Sequence, residues 1–195
     1  MTYLVDCFRY TNGFLKEIGV KYWLDFASLL GLYRDQRIIP WDKDVDFSIM
    51  VEDAPRILEH YEKIRKAGYH PMYRSHKEIY PSEEFPFETE TGSVEVVKFF
   101  ISQQNRLHSD MYCHAEQNGK ITRMNPSWPC TVFDASFVKD LKKASFYGCD
   151  VYIPQRTEEY LCLLYGEDFM EYPKHRVEDM KHFNAIKNVY NSRNV

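Results

Sequence analysis

The sequence predicts an α/β (α+β) fold, a mixed β-sheet with flanking helices, in a chain of 195 residues read as one domain. Three observations carry this. Strand-like and helix-like segments alternate through the N-terminal third. Asp44-Val45-Asp46-Phe47-Ser48-Ile49 alternates polar and apolar residues, the period of a strand. The second half is dominated by β-branched and aromatic runs and by turn dipeptides such as Asn118-Gly119.

In order along the chain, Leu4, Cys7, Phe8, Phe14, Leu15 and Ile18 fall on one face of a first helix, which Gly19 stops. Residues 20–24 read as a short buried strand, and residues 28–34 as a short helix entered from it. Ile38-Ile39-Pro40 is extended, since proline biases its predecessor away from helix. A single helix is expected next, capped by Asp53, with Pro55 in its first turn, Ile57, Tyr61 and Ile64 as its buried stripe, and Gly68 as its end. Residues 73–87 read as loop. Strands follow over residues 94–101 and 107–113, joined by a tight turn around Gln103-Gln104-Asn105. Asn118-Gly119 and Tyr147-Gly148 mark two hairpins. A helix over residues 157–165 is capped by Thr157 and closed by Gly166. The tail after Pro173 is polar and partly helical.

Bulk composition excludes several function classes. The net charge of −4 and scattered Lys and Arg lack the basic footprint of a nucleic-acid binder. The five cysteines are an odd count without a C-x-x-C pair, which argues against both a disulfide framework and zinc. No leader pattern and no apolar run of membrane-spanning length is present, so the chain as written reads as soluble.

The segment that carries chemistry is Pro40-Trp41-Asp42-Lys43-Asp44-Val45-Asp46-Phe47. On a strand, Asp42, Asp44 and Asp46 share one face. Carboxylates about 5 Å apart at an effective dielectric near 20 repel by roughly 3 kcal/mol. A bound divalent cation reverses that sign, and oxygen ligands suit Mg²⁺ or Mn²⁺. In Leu107-His108-Ser109-Asp110-Met111-Tyr112, alternation puts His108, Asp110 and Tyr112 on one side. Asp110 is the candidate third carboxylate, with Glu95 its competitor. Ser28 sits where a helix N-terminus can bind phosphate, and Arg34 is a candidate phosphate clamp. Trp41 is a candidate stacking residue, or packs beside Pro40. Cys113 and His114 are excluded as a nucleophile–base pair, because adjacent strand residues face opposite ways.

Together these residues resemble the LicD/fukutin family of phosphotransferases, most closely its fukutin-related branch. Residues 22–50 match the family run G-[ST]-L-L-G-x-x-R followed by I-P-W-D-x-D-x-D at nearly every position. His108-Ser109-Asp110 resembles the family's H-x-D strand, and Ile153-Pro154, Tyr160-Leu161 and Tyr165-Gly166 its C-terminal block. One departure is Ala27, where the family has Gly, preceded by Phe26, where the fukutin-related branch has another. A Cβ there crowds the donor or forces a positive-φ residue into strain.

The resemblance implies a nucleotidyltransferase-like fold and transfer of a phospho-alcohol, of ribitol phosphate or phosphocholine type, from a CDP-activated alcohol donor to a sugar or glycan hydroxyl. It implies that Asp44, Asp46 and Asp110 hold the metal, with Asp42 accessory. Ser28 and Arg34 would steady the donor phosphates, Trp41 or Tyr112 would line the alcohol or sugar pocket, and His108 would position the donor or move a proton. The compartment is cytoplasmic for a complete chain and the Golgi lumen for a piece of a longer relative. Two rivals remain: a nucleotidyltransferase that moves the NMP itself, and a degenerate nucleotide- or glycan-binding module, which Ala27 favours.

Overall fold

The computed structural model describes residues 2–75, 94–101, 104–124 and 132–171, with backbone alone at residues 2, 75 and 104–106. Helix α1 (Thr2–Glu17) leads into β1 (Tyr22–Leu24), α2 (Phe26–Asp35) and β2 (Asp44–Met50). A 3₁₀ turn (Val51–Asp53), α3 (Ala54–Leu58) and α4 (Tyr61–Lys66) precede β3 (Tyr69–Ser75), β4 (Val94–Ile101) and the long β5 (Gln104–Gln117). Then come β6 (Lys120–Arg123), β7 (Phe133–Asp134), α5 (Ser136–Lys139), β8 (Leu141–Phe146), β9 (Cys149–Pro154) and α6 (Thr157–Tyr165).

The main sheet runs β1-β2-β5-β4-β3, with β6 added to the far half of β5 and β7 to β6. β2 and β5 are parallel, and the other described pairs are antiparallel. The expected mixed sheet with flanking helices is therefore present. Strand alternation divides it into two faces. One carries Val45, Phe47, Ile49, Val97, Phe99 and Met111, all fully buried. Helix α1 packs there. Phe8 stacks on Phe47 at 6.1 Å, and the Thr11 and Ser109 hydroxyls meet at 2.7 Å. The β8–β9 hairpin flanks α1 and β1 through Phe8–Phe146 and Tyr22–Tyr152 ring contacts. The opposite face carries Asp44, Asp46, Ser48, His108, Asp110 and Tyr112. Helix α2 covers part of it through Phe26 on Tyr112, and α6 anchors alongside through the Tyr160 hydroxyl to Asp25.

Both expected hairpins form. Asn118 and Gly119 have φ of 53° and 76°, and Tyr147 and Gly148 have 48° and 75°. Two successive positive φ values are what a two-residue turn needs to match strand twist. Gly166 closes α6 as expected, its N–H bonding Cys162 O at 2.8 Å.

Five local expectations are corrected. The single helix after Asp53 is two, broken at Glu59-His60, and Tyr61 is 38% exposed while Ile57 and Ile64 are buried. Asp53 makes no capping hydrogen bond and instead pairs with Arg56 at 3.7 Å. Thr157 lies inside α6, where its hydroxyl donates to Pro154 O at 2.6 Å and ties the helix to β9. Residues 73–75, expected as loop, complete β3, an edge strand among the described residues, where no described strand pairs with its outer side and Pro71 is tolerated. Of the turn expected around Gln103-Gln104-Asn105, Gln104 and Asn105 already belong to β5, while Gln103, most of the expected loop to residue 87 and the tail after Pro173 lie outside the described residues. No described helix is long and apolar enough to cross a membrane.

Candidate metal and donor site

The site is a product of strand register. Parallel pairing sets Asp44 opposite His108 and Asp46 opposite Asp110, and the antiparallel ladder sets Phe100 opposite His108 and Lys98 opposite Asp110. Two rows therefore cross the sheet face: Asp44–His108–Phe100 and Asp46–Asp110–Lys98. Phe100 stacks on the His108 ring at 4.5 Å. His108 Nε2 lies 3.2 Å from Asp110 Oδ1 and 3.7 Å from Asp44 Oδ2. Lys98 Nζ donates to Asp110 Oδ2 at 2.6 Å and sits 3.4 Å from His108 Nε2.

Charge in this cluster is unevenly balanced. Burial, then Asp44, Asp110, Asp42 and Asp25, push the Asp46 carboxyl well above the usual range. Burial and Asp110 also raise Asp44, against the opposing pull of His108 and Lys98. Asp110 goes the other way. Burial raises it, but the His108 hydrogen bond and the Lys98 and His108 charges win and hold it low. Burial lowers His108, and the Asp110 bond and charge overcome this to raise it above its ordinary value.

Ligand atoms of Asp44, His108 and Asp110 all lie within 4.8 Å of one another, an arrangement able to hold a metal ion. Asp46, expected in the ligand set, sits opposite Asp110 in the neighbouring row, and its carboxylate lies outside this 4.8 Å group. Asp42 lies in the turn before β2, not on the strand, because the Asp42 N–H bonds Ile39 O at 3.0 Å and closes that turn. Its charge still reaches Asp46. Trp41 is 39% exposed on the same turn.

Ser28 is buried, and its Oγ accepts from the Asp46 N–H at 2.9 Å. It joins α2 to β2 at the acidic residue itself. Arg34 is in the last turn of α2, six residues and about 9 Å along the axis from Ser28. Its Nε pairs with Asp35 at 3.1 Å and an NH1 reaches Phe169 O, so the structure engages it away from the carboxylates. Glu95, the competitor for the third carboxylate, alternates to the other sheet face and pairs with Arg74 at 2.7 Å.

A family model described as LicD/FKTN/FKRP, nucleotidyltransferase domain, matches residues 19–156. The chain belongs to the LicD/FKTN/FKRP family. It is 30% identical over 173 residues to the human and mouse ribitol 5-phosphate transferases FKRP, covering 86% of this chain and 32% of each relative. It is 29% identical over 154 residues to the mouse ribitol-5-phosphate transferase FKTN, covering 78% of this chain and 30% of that one. The chain thus spans about a third of the length of these relatives. The solution structure of the antibiotic-resistance factor ANT(2″)-Ia superposes with a TM-score of 0.51 at 12% identity, over 98% of this chain and 93% of that one, and shares the fold.

The family's motif departure has a visible backbone cost. Phe26 adopts φ 45° at the start of α2, a conformation glycine takes freely. The ring is nonetheless buried, edge-on to Tyr112 at 5.1 Å, with the Arg123 guanidinium 4.6 Å away. Arg123 also lies 3.6 Å over the Tyr112 ring. Burial and the Asp46 and Asp110 charges keep the Tyr112 phenol neutral by raising its pKa. His114, one residue past the free thiol Cys113, is buried between Trp23 and Phe133 and pushed down to about 3 by burial.

Three groups escaped the sequence reading. Lys98 is placed by register alone, which no local pattern encodes. Arg123 reaches the site from β6 across two ring faces. Asp25 had a signal: a carboxyl between a buried strand and a helix is an N-cap. It is fully buried and accepts from the Phe26 N–H at 2.7 Å, the Trp23 indole at 3.0 Å, Ser48 at 2.6 Å and Tyr160 at 3.0 Å. Its own N–H bonds Asp46 O at 3.0 Å, so the network holds β2 at the acidic pair.

Proposed function

We propose that the chain is one LicD/fukutin-type domain that transfers a phospho-alcohol, of ribitol phosphate or phosphocholine type, from a CDP-activated donor to a glycan hydroxyl. The observation that carries this is the pair of rows bringing Asp44, Asp46 and Asp110 together with more negative charge than Lys98 balances. That imbalance, and the oxygen-rich donor set, fit a hard divalent cation, Mg²⁺ or Mn²⁺. When bound, such an ion neutralises charge building on the leaving CMP. We assign Asp44, Asp46 and Asp110 to holding it, with Asp42 at the edge of the cluster. Ser28 fixes Asp46 through its main chain, and Trp41 and Tyr112 offer aromatic faces to the alcohol or sugar. His108, whose Nε2 lies 3.2 Å from Asp110 and 3.7 Å from Asp44, is assigned to positioning the donor or moving a proton. Arg34 is given no part in phosphate binding, because its guanidinium is engaged at the far end of α2.

The test is incubation with CDP-ribitol or CDP-choline, Mg²⁺ and a glycan acceptor, with product analysis by mass. Metal-dependent release of CMP, lost in Asp46→Asn, supports the proposal. Transfer of the nucleotide itself to the acceptor replaces it with nucleotidyl transfer. If neither donor binds the folded protein with metal present, it gives way to the binding-module reading, which Ala27 favours.

A further inference from the structure

Lys98 occupies an unusual place in the row it belongs to. Asp110, deeply buried, is flanked by Asp46 on one side and by Lys98 on the other. The Lys98 side chain keeps 28% exposure against 2% for Asp110, so the lysine reaches solvent where the carboxylate does not. An ion or substrate approaching Asp110 from that side meets Lys98 first. The ammonium has three N–H donors. One goes to Asp110 and a second faces His108 Nε2, which leaves donor capacity toward the open side. Around it lie three carboxylates, Asp44, Asp46 and Asp110, which press on one another. A pyrophosphate cannot enter such a field without cations to receive it. A divalent ion supplies one, and Lys98 is the fixed ammonium already in contact with the cluster. A lysine is suited to this, since its compact charge sits on a flexible four-carbon stem and changes partner by rotation.

We propose that Lys98 is a donor-phosphate ligand that also competes with the divalent ion for Asp110: it holds Asp110 while the site is empty and passes to a phosphate oxygen when the ion takes that carboxylate. The inference rests on the transferase reading for its phosphate half and on the geometry alone for its competition half. No covalent step is involved; one ion pair is exchanged for another.

The experiment compares the full chain with Lys98→Met, which removes the charge at similar volume, and Lys98→Gln, which keeps a donor to Asp110 without charge. The first readout is Mn²⁺ binding without nucleotide, by calorimetry or by paramagnetic resonance of the free ion. Removing a cation that competes for a ligand tightens Mn²⁺ by about tenfold or more, a small part of the roughly thousandfold that one unit-charge pair about 4 Å apart near a protein surface represents. The second readout is binding of CDP and of inorganic pyrophosphate at saturating Mn²⁺, where the same variants weaken both by about tenfold or more, the scale of a charge-assisted hydrogen bond. Opposite signs in the two readouts are the expected result, and Lys98→Arg restores the wild-type direction in both.

Unchanged or weaker Mn²⁺ binding in the variants overturns the competition. Tighter Mn²⁺ with unchanged CDP and pyrophosphate overturns the phosphate role. If the wild-type chain takes up Mn²⁺ but neither phosphate compound, the transferase reading fails with the phosphate role, while the competition half still stands or falls on the metal arm. Should Lys98→Met not fold, Lys98→Gln gives the same readouts.

Discussion

Asp46 is buried among the negative charges of Asp44, Asp110, Asp42 and Asp25, and no donor to its carboxylate is seen among the described residues. Its backbone, by contrast, is held on both sides, the N–H by Ser28 and the carbonyl by Asp25. The fold therefore fixes the residue while leaving its charge unsatisfied. In metal-free protein, Asp46→Asn is expected to raise the melting temperature by about 2–4 °C, the equivalent of 1 kcal/mol at this length. The same variant is expected to lose any stabilisation by Mn²⁺, and a thermal melt with and without the ion checks both. Phe26 poses the reverse balance. Glycine there relieves a left-handed φ costing about 1–2 kcal/mol. It also deletes a buried ring whose removal costs about 3–5 kcal/mol. Packing wins, so Phe26→Gly is expected to destabilise by about 2–3 kcal/mol in denaturant unfolding.

At the scale of elements, the acidic pair was legible because a strand's period of two is written in Asp44-Val45-Asp46-Phe47 itself. His108 and Asp110 were legible for the same reason, and the hairpins because Asn118-Gly119 and Tyr147-Gly148 sit at positive φ. The break between α3 and α4 was not, since Glu59-His60 is neither glycine nor proline and the charge pattern runs through it. β3 was missed because residues 73–87 read as a loop rich in Pro and Glu, and its pairing with β4 shows only in the sheet. Helix α2 carries a further constraint. A Cβ at Gly31 would lie 2.5 Å from the Arg37 carbonyl oxygen, because the chain folds back over the helix there and the Arg37 N–H bonds Gly31 O. The obstacle is backbone, which cannot turn aside. Gly31→Ala gains about 1 kcal/mol of helix propensity and loses more to overpacking. A net loss of about 1–2 kcal/mol is expected, seen as a lower urea midpoint with unchanged slope.

For the whole molecule, the raised carboxyls give stability a pH signature. A carboxyl whose folded pKa exceeds its unfolded value binds protons more readily when folded, so its contribution is intact below about pH 3.8 and is lost as pH rises through the folded value. Asp44 and Asp46 are of this kind. His108 acts in the same direction, its contribution intact below about 6.5 and lost above its raised value. Asp110 opposes them only further into acid, where protonation through its lowered value removes the pairing with Lys98 and His108. The metal-free protein is therefore expected to become more stable on mild acidification from neutral pH, and Mn²⁺ at about 100 times its dissociation constant to add about 2.7 kcal/mol at neutrality and progressively less in acid. Melting curves across pH, with and without the ion, measure both. What stayed illegible at this scale was the meeting of Lys98 with Asp110, because two strands can alternate perfectly and still be paired in any register of the right parity.

That register has a slack side and a taut side. Phe100 faces His108, yet the next residue, Ile101, faces Gln104, so residues 105–107 of β5 stand opposite no residue of β4. Chain length can drift there without moving anything beyond His108. One residue gained or lost between His108 and Asp110 would turn every later side chain of β5 to the other face and send Asp110 into the apolar layer under α1. In descent or in the hands of an engineer, the hairpin tip is free text, and the three letters His108-Ser109-Asp110 set the reading frame of the site.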